Sequence, residues 1–256
     1  MWRRRGWNTG IFYWNQFADE EEVQNAEAKI WTYRSPKAMR YRLADESYRL
    51  LPLKVTMAEV FATYYSALFP KEASSSRRPL PEIRLVGHSL GSQLVIAATA
   101  LMQTRNDARP PDRIALLDPF WSTGTKPYLE QGNGTTADHV YKLSKTITKN
   151  GALALELYRT TSLGKWYFFG SHHQGMFDLA ASVIWEPEFL PFYDFKSAHI
   201  SAIAFYFLSF GQKFPVAANT PTPVLKDQMG KKGSWQQIAG KTTVDLGDDR
   251  FQFEAL

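Results

Sequence analysis

Hydrophobic and polar positions along the chain switch repeatedly between a strand-like and a helix-like pattern. Ile83-Arg84-Leu85-Val86 is a short apolar run that ends on Gly87, which predicts a buried strand. Residues 90–104 then follow as a long apolar helix, with Leu94, Val95, Ala98, Leu101 and Met102 on its inner side. Residues 113–117 read as a second strand, closed by Asp118-Pro119. Upstream, residues 9–13 followed by Trp14 are rich in β-branched and aromatic side chains and predict a buried strand. Met57, Val60, Phe61, Tyr64 and Leu68 recur at helical spacing until Pro70 stops them.

Downstream, the pattern predicts a helix over 137–148 and a strand over 153–158. Residues 166–185 form an aromatic, irregular stretch, and 189–195 read as the last strand of the sheet. His199 then opens a helix that Gly211 ends. Alternating strands and helices predict an α/β fold, a mostly parallel sheet with helices on both faces. Residues 1–214 carry this domain, and 215–256 form a Pro-, Gly- and Lys-rich extension with a strand pair near 242–245 and 250–254.

Composition alters this picture only at its edges. A length of 256 residues fits one large domain. The formal charge of +5 owes over half of its excess to Arg3-Arg4-Arg5, flanked by Trp2 and Trp7. That reads as a solvated basic tail. No Lys/Arg–aromatic stripe recurs later, so no nucleic-acid partner is expected. Cysteine is absent, which excludes disulfides and thiolate metal sites and agrees with a reducing, cytoplasmic setting. No apolar run reaches the ~18–20 residues of a membrane span, and no signal peptide is visible over 1–10. No metal constellation or cofactor motif stands out.

The chemistry concentrates at Gly87-His88-Ser89-Leu90-Gly91. A serine hydroxyl is a weak nucleophile until a base takes its proton and a fixed geometry presents it. A Gly-x-Ser-x-Gly turn between strand and helix supplies that presentation: the serine sits on a strained corner, and glycine on each side removes Cβ atoms that would collide there. The N–H of Leu90 then points at the developing oxyanion from the start of the helix. A chance match to the motif arises in roughly one chain of this size in ten, so the flanking strand and helix carry the assignment.

An acid belongs at the C-terminal end of a later strand. Asp118 occupies such a place, and Asp178 and Asp194 are its rivals. For the base, His139, His172, His173 and His199 all follow Ser89 in the order Ser, Asp, His. His199 is favoured because a rigid helix would hold its ring. His139 reads as a surface residue, and His172-His173 as groove-lining. His88 adjoins the serine and reads as a packing residue.

Three pieces resemble the pancreatic-lipase-like esterases and lipases of the α/β-hydrolase superfamily. They are Val86-Gly87-His88-Ser89-Leu90-Gly91-Ser92, then Leu117-Asp118-Pro119, and Ser197-Ala198-His199 before an aromatic helix. The resemblance covers roughly residues 8–210. It implies Ser89 as nucleophile, Asp118 as acid, His199 as base and Leu90 in the oxyanion hole, acting without a cofactor on a small-molecule or lipid ester. It also implies contact with a lipid interface. The oligomeric state is left open.

The chain departs from that pattern in having no cysteine and no His-Gly motif before Ser89. The expectation is therefore a sheet that lacks its first strands, an N-terminal part that is incomplete or pairs unusually, and an oxyanion site short of its second donor. The competing expectations are a non-catalytic or inactive module of the same fold, or a thioesterase, acyltransferase or peptidase using the same three residues.

Overall fold

The structure is a computed structural model. It describes residues 2–3, 6–71, 81–129, 134–149, 151, 153–160, 173–184, 190–191, 193–209, 233–239 and 250–255. In chain order the elements are α1 (Val23–Trp31), β1 (Arg40–Arg42), β2 (Tyr48–Leu50), α2 (Met57–Leu68), β3 (Arg84–His88), α3 (Leu90–Arg105) and β4 (Arg113–Leu117). They continue with α4 (Thr136–Thr148), β5 (Ala154–Arg159), α5 (Gln174–Leu179), β6 (Ala181–Ile184), α6 (Phe195–Ser209), β7 (Gly233–Ala239) and β8 (Arg250–Ala255).

Strands β3 to β6 form a parallel sheet in sequential order, with His88 opposite Leu117 and Leu117 opposite Tyr158. β7 adds to β6 in parallel, and β8 closes the sheet antiparallel to β7. The parallel strands are apolar on both faces because helices cover both. On one face Ile114, Leu116, Leu155 and Leu157 pack with Val95 and Ile96 of α3, Val140 of α4 and Met176 of α5. On the other, Ala115, Leu117 and Tyr158 meet Ala202, Phe205 and Tyr206 of α6, together with Trp2. Every residue of β4 and of β5 is buried, so these two strands form the centre of the fold.

α3 is buried almost all round, since α1 and α2 cover the side that the sheet leaves open. It ends at Asn106, whose left-handed backbone (φ 54°) caps the last turn. Thr56 and Glu59 form a reciprocal capping box that starts α2. The inner face of that helix is Met57, Ala58, Ala62 and Tyr65, whereas Tyr64 and Leu68 point outward.

Three expected elements differ. Residues 9–14 belong to no helix or strand, and Ile11 and Tyr13 are 75% and 71% exposed. An extended segment becomes a strand only when a neighbour accepts its hydrogen bonds, and among the described residues none does. The stretch 166–185 is not irregular throughout: it holds α5 and β6. The strand expected over 189–195 is absent from the described part of that range, where 193 lies in a turn and Phe195 already begins α6. His199 thus lies inside that helix rather than at its first residue. In the extension, β8 falls where the second strand was expected, but its partner is β7, and 242–245 lie outside the described residues. The β1–β2 hairpin, turning at Glu46 (φ 69°), was not legible in the sequence.

Candidate functional site

The site forms where β3, β4 and β5 end. Ser89 follows β3 directly and has φ 55° and ψ −122°, a backbone state that L-residues avoid and that costs of order 1–3 kcal/mol. Two bonds hold the corner: the Ser89 N–H donates to the Leu117 carbonyl at 3.0 Å, and Phe120 N–H donates to the Ser89 carbonyl at 3.4 Å. Gly87 is required because a Cβ there would lie 2.3 Å from the Gly91 carbonyl oxygen. Gly91 is not required in the same way, since a Cβ on it meets nothing within 4 Å. The corner therefore needs one glycine, where the first turn of α3 presses on β3, rather than two. Leu90 is the first residue of α3, so its N–H lacks an acceptor within the helix and remains available to an anion.

Asp118 also has a positive φ, 39°, so two of the four described non-glycine residues with positive φ belong to this site. Its N–H donates to the Tyr158 carbonyl at 2.7 Å, extending the β4–β5 ladder one step past Leu117. The Asp118 side chain is fully buried. One carboxylate oxygen meets the His199 Nδ1 at 2.7 Å. The other faces the Thr160 N–H at 3.5 Å and the Arg159 Nε at 3.4 Å. A carboxylate on Nδ1 fixes that nitrogen as the N–H and leaves Nε2 as the basic one.

His88 contributes more than the packing expected of it. Its ring centroid lies 4.4 Å from that of His199, and its Nε2–H donates to the His199 carbonyl at 2.9 Å. A carbonyl only accepts, so Nε2 of His88 carries the hydrogen. Burial, and secondarily the neighbouring His199, push the His88 pKa down to about 4. Among the described residues the Ser89 hydroxyl makes no hydrogen bond.

Behind the corner lies a buried polar network that sequence reasoning missed. Glu27 of α1 accepts from Gln93 Nε2 of α3 at 2.7 Å, from the Ser122 N–H at 3.0 Å and from the Ser122 hydroxyl. Gln93 Nε2 also donates to the Phe120 carbonyl at 2.6 Å, and Gln93 Oε1 accepts from Trp31 Nε1 at 2.8 Å. The network ties α1, the second turn of α3 and the loop after Asp118 into one unit. Only a glutamate among alanines in Ala26-Glu27-Ala28 hinted at it. Beside it, a groove of about 430 Å³ is lined by Phe12, Tyr13, Trp14, Asn15, Ala18, Ala26 and Leu90, and so reaches the serine corner through Leu90.

The remaining candidates lie apart from Asp118. His139 packs its ring edge-on against Trp31 at 5.0 Å, half-buried rather than on the open surface. His173 stacks on Tyr141 at 4.3 Å and faces Asp138 at 3.3 Å. His172 lies outside the described residues. Asp178 accepts from Gln174 on the surface, and Asp194 caps α6 by accepting from the Ser197 N–H at 3.0 Å. Among the described residues no cluster of His, Asp or Glu forms a metal site, and no helix is long and apolar enough to cross a membrane. No family model, curated protein or solved structure matches the chain.

Proposed function

We propose that the protein is a serine hydrolase of the α/β-hydrolase type that cleaves carboxylic esters through an acyl-enzyme. The observation that carries this reading is the 2.7 Å contact between His199 Nδ1 and the buried Asp118 carboxylate, at the strand edge where Ser89 occupies a strained corner. In this mechanism His199 takes the Ser89 proton through Nε2, Ser89 attacks the ester carbonyl, and Asp118 stabilises the imidazolium. The proton then passes to the leaving alcohol, and water releases the acyl group by the same route. The Leu90 N–H receives the negative charge that develops on the carbonyl oxygen, an interaction worth ~2.7–4 kcal/mol per donor in serine hydrolases. The apolar groove beside Leu90 favours an ester with an apolar acyl group.

A second reading, a binding module without turnover, draws on the Ser89 hydroxyl having no hydrogen bond among the described residues. A fluorophosphonate probe separates the two. The hydrolase reading expects stoichiometric labelling of the folded chain that Ser89→Ala abolishes, and absence of Ser89-dependent labelling would sink it. A series of p-nitrophenyl esters of increasing acyl length then reads the groove.

A further inference from the structure

Asp118 and Arg159 end adjacent parallel strands, and both are shielded from solvent, at 0% and 1% side-chain exposure. We propose that Arg159 is the positioning residue of the triad: its guanidinium forms an ion pair with Asp118 through the oxygen turned away from His199 and sets the charge balance against which the base works. This rests on the reading of Ser89, Asp118 and His199 given above.

The geometry assigns each carboxylate oxygen a separate task. Oδ2 meets His199 at 2.7 Å, while Oδ1 faces Arg159 Nε at 3.4 Å and the Thr160 N–H at 3.5 Å. Arg159 Nη1 donates to the Pro119 carbonyl at 3.1 Å, so the guanidinium spans the acid and the residue after it. The β4–β5 register produces this: Leu117 lies opposite Tyr158, and one step further Asp118 comes beside Arg159. A carboxylate taken fully out of water needs a compensating charge, and a neutral His199 supplies none. Burial lowers the Arg159 pKa while the Asp118 charge raises it, but a guanidinium keeps its proton throughout the working range.

The charge sum decides the consequence. With Arg159 present the resting site is neutral, one negative and one positive charge, and protonating His199 leaves it at +1. Without Arg159 the same step takes the site from −1 to neutral. Arg159 therefore offsets the charge of Asp118 from the side away from His199 and opposes a further positive charge on the His199 ring. Among the described residues His88, from the end of β3, also packs against the His199 ring, and Asp194 and Lys196 lie at the start of its own helix in sequence.

The test is an NMR titration of the His199 ring in the full chain, wild type against Arg159→Gln and Arg159→Lys. Arg159→Gln is expected to raise the His199 midpoint by about one pH unit, a tenfold change in acidity, while Arg159→Lys, which keeps the charge, stays near wild type. A folded Arg159→Gln chain with an unmoved midpoint, or both variants moving equally, overturns the proposal. Should Arg159→Gln fail to fold, the double variant Asp118→Asn/Arg159→Gln decides. Restored folding shows that the uncompensated carboxylate was the fault, and continued unfolding overturns the charge role. Fluorophosphonate labelling of the wild type reads the hydrolase assignment separately, so a chain that titrates as expected but never labels rejects that assignment alone.

Discussion

Acid should unfold this protein partly through one side chain, His88. Its ring is packed beside His199 and donates from Nε2 to the His199 carbonyl at 2.9 Å. Burial holds its pKa at about 4, against 6.5 for an ordinary histidine. A folded-state value below the unfolded one means that the unfolded chain takes the proton first. The stabilisation from keeping this ring neutral is thus fully present above pH 6.5 and is lost as the pH falls through 4. A gap of 2.5 between those two values corresponds to about 3 kcal/mol, at 1.36 kcal/mol for each pH unit. That is a large share of the ~5–15 kcal/mol that holds a typical domain together.

His88→Gln provides the comparison, because an amide can donate to the same carbonyl and does not titrate. Urea unfolding followed by tryptophan fluorescence at pH 7, 6, 5 and 4 measures both proteins. At pH 7 the wild type should be the more stable. The difference should then shrink by about 3 kcal/mol by pH 4 and reverse if the glutamine costs less than that. Titrating groups that do not interact with His88 are common to the two proteins and drop out of the difference. A gap between wild type and His88→Gln that stays constant from pH 7 to pH 4 would refute the reasoning, since the proton uptake would then lie elsewhere.

The two glycines of the serine corner should behave oppositely. Gly87→Ala forces a Cβ to within 2.3 Å of backbone and should cost at least about 3 kcal/mol in urea unfolding. Gly91→Ala meets nothing within 4 Å in the first turn of a helix and should be neutral or stabilising by up to about 1 kcal/mol; equal damage from both would show that the corner is packed differently. Glu27→Ala removes the shared acceptor of Gln93 and Ser122 and should cost about 3 kcal/mol, a fall of roughly 6–12 °C in Tm. A loss below about 1 kcal/mol would mean that the buried network contributes nothing net.

What the sequence determined by itself is the part governed by neighbours along the chain. The apolar run 83–86, the glycine turn and the apolar pattern after Ser89 specify β3, the corner and α3, because a hydrophobic period and a turn residue act over a few positions. The same holds for β4 with Asp118 at its end, for β5, and for the helix that carries His199. The tertiary structure decided what depends on a distant partner. Residues 9–14 have the composition of a strand, yet are not one, because pairing is a property of two segments. The helix and strand within 174–184 are short, and their stability comes from the sheet they complete rather than from their own pattern.

The partners of the buried polar groups were equally out of reach. His199 meets Asp118 across 81 residues and Glu27 meets Ser122 across 95. Arg159 reaches Asp118 only because the register of β4 and β5 sets their ends side by side. A polar side chain that folding takes out of water must be satisfied by whichever group the packing delivers, and sequence spacing does not encode which group that is. Ser89 and the elements around it were therefore readable from the sequence. The charges that stand behind Ser89, and the reason they are there, emerge only in the folded chain.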